Sequence, residues 1–153
     1  MSPLKNPRTL KWIMNLWPPY LGAGIRVREI GQDWRSAEVR LTLRWYNRNA
    51  VGTHFGGSLY AMIDPHLMLL LMQLLGKGYQ VWDKAATIEF IKPARKKVSA
   101  VIRITDEDID VIRHKTADGD KYFAHFTLDI KDEEGALVAR AQKTIYVKRK
   151  SDA

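Results

Sequence analysis

The chain has 153 residues, 46% hydrophobic and 27% charged, the balance of a globular domain able to bury a core of its own. It contains no cysteine, which excludes a disulfide framework, a thiolate metal site and a cysteine nucleophile. Its 25 Lys and Arg against 17 Asp and Glu leave a formal charge of +8, so the surface attracts polyanions: nucleic acid, acidic lipid or phosphorylated small molecules.

The first twenty residues have no uninterrupted apolar region before a small-residue cleavage site, and carry Pro18 and Pro19 where a signal sequence would finish. The most apolar run, Leu67 to Leu75, is well short of the ~20 residues of a membrane span. The expectation is a soluble, cytoplasmic chain without a transmembrane segment. Organisation reads as a single domain over 1–153, with a helical lead-in at 1–22 and a charged tail at 149–153. Residues 8–17 place Leu10, Ile13, Met14 and Trp17 at helical spacing, and Pro18-Pro19 stops that helix. Its apolar face is expected to pack on the domain; Lys5, Arg8 and Lys11 also suit a membrane-surface or lid helix.

After a short first strand at 25–30, Ala37, Val39, Leu41, Leu43 and Trp45 alternate with polar residues, the pattern of a strand with one wet face. The alternation returns in Ala86-Ile88-Phe90, in Val98-Ala100-Ile102-Ile104, in Tyr122-Ala124-Phe126-Leu128-Ile130 and in Leu137-Ala139-Ala141. Asp118-Gly119 and Glu134-Gly135 read as hairpin turns between the later runs. Between the second and third strands lies the one long helical candidate, GSLYAMIDPHLMLLLMQLLG, apolar on nearly every side. Such a helix must be buried, and about six antiparallel strands bury it by wrapping around it. The fold class is therefore α+β.

Chemistry concentrates where Asn49-Ala50-Val51-Gly52-Thr53-His54-Phe55-Gly56-Gly57-Ser58 enters that helix. Free N–H groups at a helix start suit an oxyanion or a polarised carbonyl. Asp64, inside the apolar helix, is costly unless paired, hydrogen-bonded or facing a cleft. Asp64-Pro65 reads equally as an N-cap and N1 pair that starts a second helical piece after a kink.

The register N-x-x-G-T-x-x-G-G-x-x-x-x-x-x-D, followed by a strand closing in Ile91-Lys92-Pro93-Ala94, resembles the hotdog-fold acyl-CoA thioesterases, nearest to a thioesterase-like group with a GTHFGG segment. The likeness spans roughly residues 20–148. It implies an antiparallel sheet around a central helix and hydrolysis of acyl-CoA or a related acyl thioester. By the same resemblance the Gly56 N–H binds the thioester carbonyl, Asp64 acts as general base or nucleophile, and Asn49 holds the water or the carboxylate. The site would lie at a dimer interface, lined by His54, Phe55, Gly57 and Thr87. Many relatives have His-Gly-Gly where this chain has Phe55-Gly56-Gly57; its histidine comes one residue earlier, so His54 is not assigned the usual histidine's role. Lys92, Arg95, Lys96 and Lys97 read either as a solvated turn or as a phosphate patch for the nucleotide end of coenzyme A. No metal and no cofactor beyond the coenzyme A of the substrate is expected.

The assembly expected is a homodimer pairing open sheet edges, or its doubling to a tetramer. Ser58 lacks the G-x-S-x-G elbow of a serine hydrolase, and His54, Asp64 and His66 lack metal-ligand spacing. His66 reads as a satisfied helix residue; His114 falls in a polar connection and His125 has no role. The competing functions are a non-catalytic acyl-CoA-binding or regulatory hotdog module, in which Asp64 only caps a helix, and a nucleic-acid-binding domain. The second ranks lower because Trp45 falls on the apolar side of its strand and no recognition signature appears.

Overall fold

A computed structural model describes residues 3–151; positions 1, 2, 152 and 153 of the expected lead-in and tail lie outside the described residues. After a 3-10 turn at Pro3–Lys5, Asn6 caps α1 (Pro7–Leu16) by accepting from the Arg8 and Thr9 amides. The helix ends before Pro18, but the prolines then open a second helix, α2 (Pro18–Ala23). Proline lacks the N–H that a first helical turn cannot use and holds the right φ, so the pair that ends α1 also starts α2. Gly24 closes α2 at φ 78°, a conformation that favours glycine.

Six strands follow: β1 (Ile25–Ile30), β2 (Ser36–Leu41), β3 (Tyr79–Phe90), β4 (Val98–Arg103), β5 (Lys121–Asp132) and β6 (Leu137–Arg149). They form one antiparallel sheet in the order β1-β2-β4-β5-β6-β3, which leaves β1 and β3 as its edges. One phase of the alternation is buried on every strand but the edge strand β3: Val27 on β1, Val39 on β2, Ala100 on β4, Ile130 on β5 and Ala141, Ile145 and Val147 on β6. Against that face lie α3 (Gly56–Ala61) and α4 (His66–Leu75), with Met62, Ile63, Leu67, Leu70 and Leu71 fully buried. This is the α+β sheet around a central helix that the hotdog resemblance implies. The run Gly56–Leu75 has the 20-residue length of the expected helical candidate; by length and hydropathy alone it meets the requirement for a membrane span that Leu67 to Leu75 falls short of, and half of its most apolar window is buried as the core of this domain.

Three local readings change. β2 stops at Leu41 rather than continuing to Trp45, because the Asn47 side chain accepts from the Arg44 amide and donates to the Thr42 and Ala23 carbonyls, turning the chain. Trp45 is thereby 80% exposed instead of lying on an apolar strand face. The supposed polar connection is a helix, α5 (Asp106–Lys115), fixed by a Thr105–Asp108 capping box, with acids in its first turn and Arg113, His114 and Lys115 in its last. Asp118-Gly119 accordingly joins α5 to β5, whereas Glu134-Gly135 does join β5 to β6.

Candidate active site

The glycine-bearing segment is shaped by Asn49. Its Oδ1 accepts from the Val51 and Thr53 amides, and its Nδ2 donates to Thr53 Oγ1 and to the His54 carbonyl. Both acceptor positions and both donor protons are thus occupied, so within this chain Asn49 builds the loop and has nothing left to hold a water or a carboxylate. His54 is buried, and its Nε2 lies 2.6 Å from the Lys96 carbonyl. A carbonyl only accepts, so Nε2 carries the proton and the buried Nδ1 keeps an unpartnered lone pair. Burial lowers the His54 pKa, opposed in part by the bond to Lys96. The His54 amide also donates to Ala94, which stitches the loop to the segment after β3.

Gly56 and Gly57 open α3, and Phe55 at its N-cap makes no side-chain bond to it. Among the described residues neither glycine N–H has an acceptor, as expected for the first turn of a helix. The Phe90 ring sits over Gly56, its Cζ 2.9 Å from where a Cβ would be, and the Phe55 ring fills the same position at Gly57. Asn49, Thr53, His54, Gly56, Phe90 and Lys92 line a cleft of about 340 Å³ here.

Asp64 lies beyond α3, in the turn that separates it from α4. The kink at Asp64-Pro65 exists, yet the carboxylate caps nothing: the α4 N-cap is Pro65, with no side-chain bond. Instead Asp64 Oδ1 accepts from Tyr60 Oη at 2.8 Å and from Lys143 Nζ at 2.9 Å. Lys143, on β6, has a side chain wholly removed from solvent; it also donates to the Asp64 carbonyl and forms an ion pair with Asp83 Oδ1 of β3 at 2.5 Å. One buried ammonium between two carboxylates leaves a net charge of −1. Burial and then the hydrogen bond to Asp64 raise the Tyr60 pKa, keeping its proton in place to donate. The Asp64 side chain is 45% exposed, and among the described residues its Oδ2 has no partner. Next to this group, buried His66 lies with Nε2 2.9 Å from Tyr20 Oη, the satisfied histidine expected. Its pKa is pulled down to about 4, first by burial and then by the charge of Lys143.

The remaining expected residues separate. Thr87 is exposed and pairs with Gln142 on the sheet face opposite the one that carries Lys143, so the structure does not bring it to Gly56 or Asp64. Lys92 and Lys97 are held by Asp132 at 2.6 Å and Glu133 at 3.2 Å, whereas Arg95 and Lys96 are exposed and in no ion pair among the described residues. The hydrogen bond from Lys92, then that from the Ala136 amide, holds the Asp132 carboxyl below the usual range. Tyr60, Asp83 and Lys143 went unread in the sequence. The signal for Lys143 was available, since it occupies the apolar phase of Ala139-Ala141-Lys143-Ile145-Val147.

No curated protein matches the chain in sequence. Among solved structures it is similar to a Pseudomonas aeruginosa protein of unknown function, PA5026, described as a probable thioesterase, with TM-score 0.83 and 16% identity over 95% of this chain and 99% of that one. It is similar also to thioesterase HI1161 of Haemophilus influenzae, with TM-score 0.68 and 18% identity over 94% and 91% of the two chains. The PaaI protein of E. coli, from its phenylacetic acid degradation operon, matches with TM-score 0.62 and 15% identity over 93% and 91%. At these identities the likeness shows the fold alone, the hotdog fold. Residues 7–147 match the family described as Domain of unknown function (DUF4442), and the chain belongs to that family.

Proposed function

We propose that the protein is a cytoplasmic, homo-oligomeric hydrolase of acyl-CoA or a related acyl thioester, with Asp64 as general base or nucleophile. The observation that carries this reading is the state of the Asp64 carboxylate. One oxygen is pinned by a tyrosine hydroxyl and a buried ammonium, and the other, on a partly exposed side chain, has no partner among the described residues. A helix cap would spend its oxygens on amides; this carboxylate spends none. Thioester hydrolysis moves a proton off water and builds negative charge on the carbonyl oxygen. A placed carboxylate contributes ~10²–10⁴ in rate, and an aimed backbone N–H ~10²–10³.

The unpaired Gly56 N–H supplies that donor in this reading, but not to the Asp64 of its own chain. The six residues of α3 at 1.5 Å of rise span about 9 Å and Asp64 lies beyond their end, so the two are further apart than one carbonyl group bridges. Gly56 of one copy facing Asp64 of another resolves the distance. The open edge β3, twelve residues long with Trp82 and Phe90 exposed on it, supports pairing between copies. Arg95 and Lys96, in no ion pair among the described residues, are the residues of the basic cluster best placed to hold the phosphates of coenzyme A.

The test is thiol release over a panel of acyl-CoAs by the parent and by Asp64→Asn. The amide keeps the volume and still accepts from Tyr60 and Lys143, so a folded variant that binds acyl-CoA and has lost ~10²-fold or more in turnover is expected. Turnover within threefold of the parent would defeat the mechanism. Binding without turnover in the parent itself would favour a non-catalytic acyl-binding module.

A further inference from the structure

The N-terminal helix is held to the domain by one face and leaves another apolar face without a partner among the described residues. Its inner side buries Leu10 and Met14, and Asn15 pairs with the backbone of the edge strand β1: Nδ2 donates to the Val27 carbonyl at 3.0 Å and Oδ1 accepts from the Val27 amide at 2.8 Å. That anchoring fixes the helix, so its outer residues are presented outward by a seated element. Outward lie Trp12, 64% exposed, Leu16, 65% exposed, and Ile13, continued past the helix end by exposed Trp17 and Leu21. Arg8, Trp12 and Leu16 follow one another at four-residue spacing and so form one ridge.

The N-terminal segment that carries this ridge has charge of one sign as far as Arg28. The chain up to Arg28 carries Lys5, Arg8, Lys11, Arg26 and Arg28 and no acidic residue, the first being Glu29. Five of the eight net positive charges therefore belong to the first 28 residues. Two indoles, aliphatic side chains and interspersed cations without acids match a bilayer interface with anionic headgroups. A protein partner would meet the apolar ridge as well, but would need a matching acidic rim; an anionic lipid surface supplies that charge everywhere.

We infer that α1 and α2 form a surface that docks on anionic membranes, with Trp12 and Leu16 entering the interface and Lys5, Arg8 and Lys11 meeting headgroup phosphates. The inference is independent of the role of Asp64. Co-sedimentation of the full chain with vesicles of phosphatidylcholine, alone or with 30% phosphatidylglycerol, tests it. The parent is expected to bind the mixed vesicles at least tenfold more tightly than the zwitterionic ones, and to lose that preference in 0.5 M salt. Trp12→Ala with Leu16→Ala should reduce binding at least tenfold at an unchanged melting temperature. Lys5→Gln with Arg8→Gln and Lys11→Gln, which leaves the apolar ridge intact, should abolish the preference for phosphatidylglycerol. Equal binding to both vesicles, undiminished binding by the Trp12/Leu16 variant, or a fall in oligomeric state on that substitution would overturn the inference, the last by assigning the ridge to a second copy of the chain.

Discussion

Lys143 is the position where a single substitution most directly probes the polar cluster. Replacing it by methionine keeps the aliphatic stem in the core and removes the ammonium that faces Asp64 Oδ1 at 2.9 Å and Asp83 Oδ1 at 2.5 Å. Removing one partner of a fully buried pair costs about 3–5 kcal/mol, whereas an exposed pair is worth about 0–1 kcal/mol. Here the cation is wholly buried but the stranded carboxylates are 45% and 29% exposed and are rehydrated in part. The expected loss is therefore intermediate, about 2 kcal/mol, or about 4–8 °C in Tm for a domain of this size. Denaturant unfolding of Lys143→Met measures it. In an Asp83→Asn background the same substitution strands one carboxylate fewer, so its cost should fall by about half. A Lys143→Met protein as stable as the parent, or an effect unchanged in the Asp83→Asn background, would refute the electrostatic account. The site itself should respond separately: Asp64 Oδ1 keeps only Tyr60, the carboxylate gains freedom to turn, and turnover drops at 20 °C, where the variant remains folded.

His66, with its pKa near 4 in the folded chain against about 6.5 unfolded, binds its proton first in the unfolded state. Its contribution is complete above pH 6.5 and is lost as pH falls toward 4, to a total of roughly 3 kcal/mol; denaturation curves at pH 7, 5 and 4 should show that decline, and His66→Gln should flatten it, a parent as flat as the variant being the contrary result. Neutralising exposed Arg95 and Lys96 should raise KM for acyl-CoA and spare kcat, because the contact is remote from the bond that breaks. Neutralising Lys92 and Lys97, already held by Asp132 and Glu133, should raise KM less; equal effects, or the same change with an acyl-pantetheine lacking the nucleotide, would count against a phosphate role.

The architecture was legible because it is written in periods. Alternation in Val98-Ala100-Ile102 and in Tyr122 to Ile130 places the strands, and a helix apolar all round can only be a central one. What escaped is what tertiary contacts decide. Leu43 and Trp45 continue the alternation of β2, but Asn47 ends the strand by binding three backbone groups. Asp106 to Lys115 is too polar for its apolar spacing to stand out, and its helix follows from caps and end charges, with Ile109 and Ile112 alone buried. Asp64 stood out as a carboxylate in apolar surroundings, while the cation that holds it lies on a distant strand. Tyr60 is one helical turn before it, yet Lys143 is 79 residues away and Asp83 enters through the pairing of β3 with β6. Asn49 illustrates the converse: the motif pointed to chemistry, and the side chain turns out to be consumed in folding its own loop.

The separation of Gly56 from Asp64 leads to the most exacting consequence. If each catalytic centre takes the N–H from one copy and the carboxylate from another, two inactive variants should repair each other. Asp64→Asn removes the base. Gly56→Pro removes the N–H at a position where the backbone accepts proline: Phe55 before it is extended at φ −66° and ψ 128°, and Gly56 opens the helix. The atoms that crowd a Cβ there belong to the end of the Phe90 side chain and not to backbone. Mixing equal amounts after reversible dissociation gives half mixed dimers, each with one centre intact and one carrying both defects, so activity should recover to about a quarter of the parent's. Light scattering must first show about twice the 17.6 kDa of one chain. Two variants that are each inactive, demonstrably exchange subunits and yet recover nothing would place the whole reaction within one chain and require a donor other than Gly56.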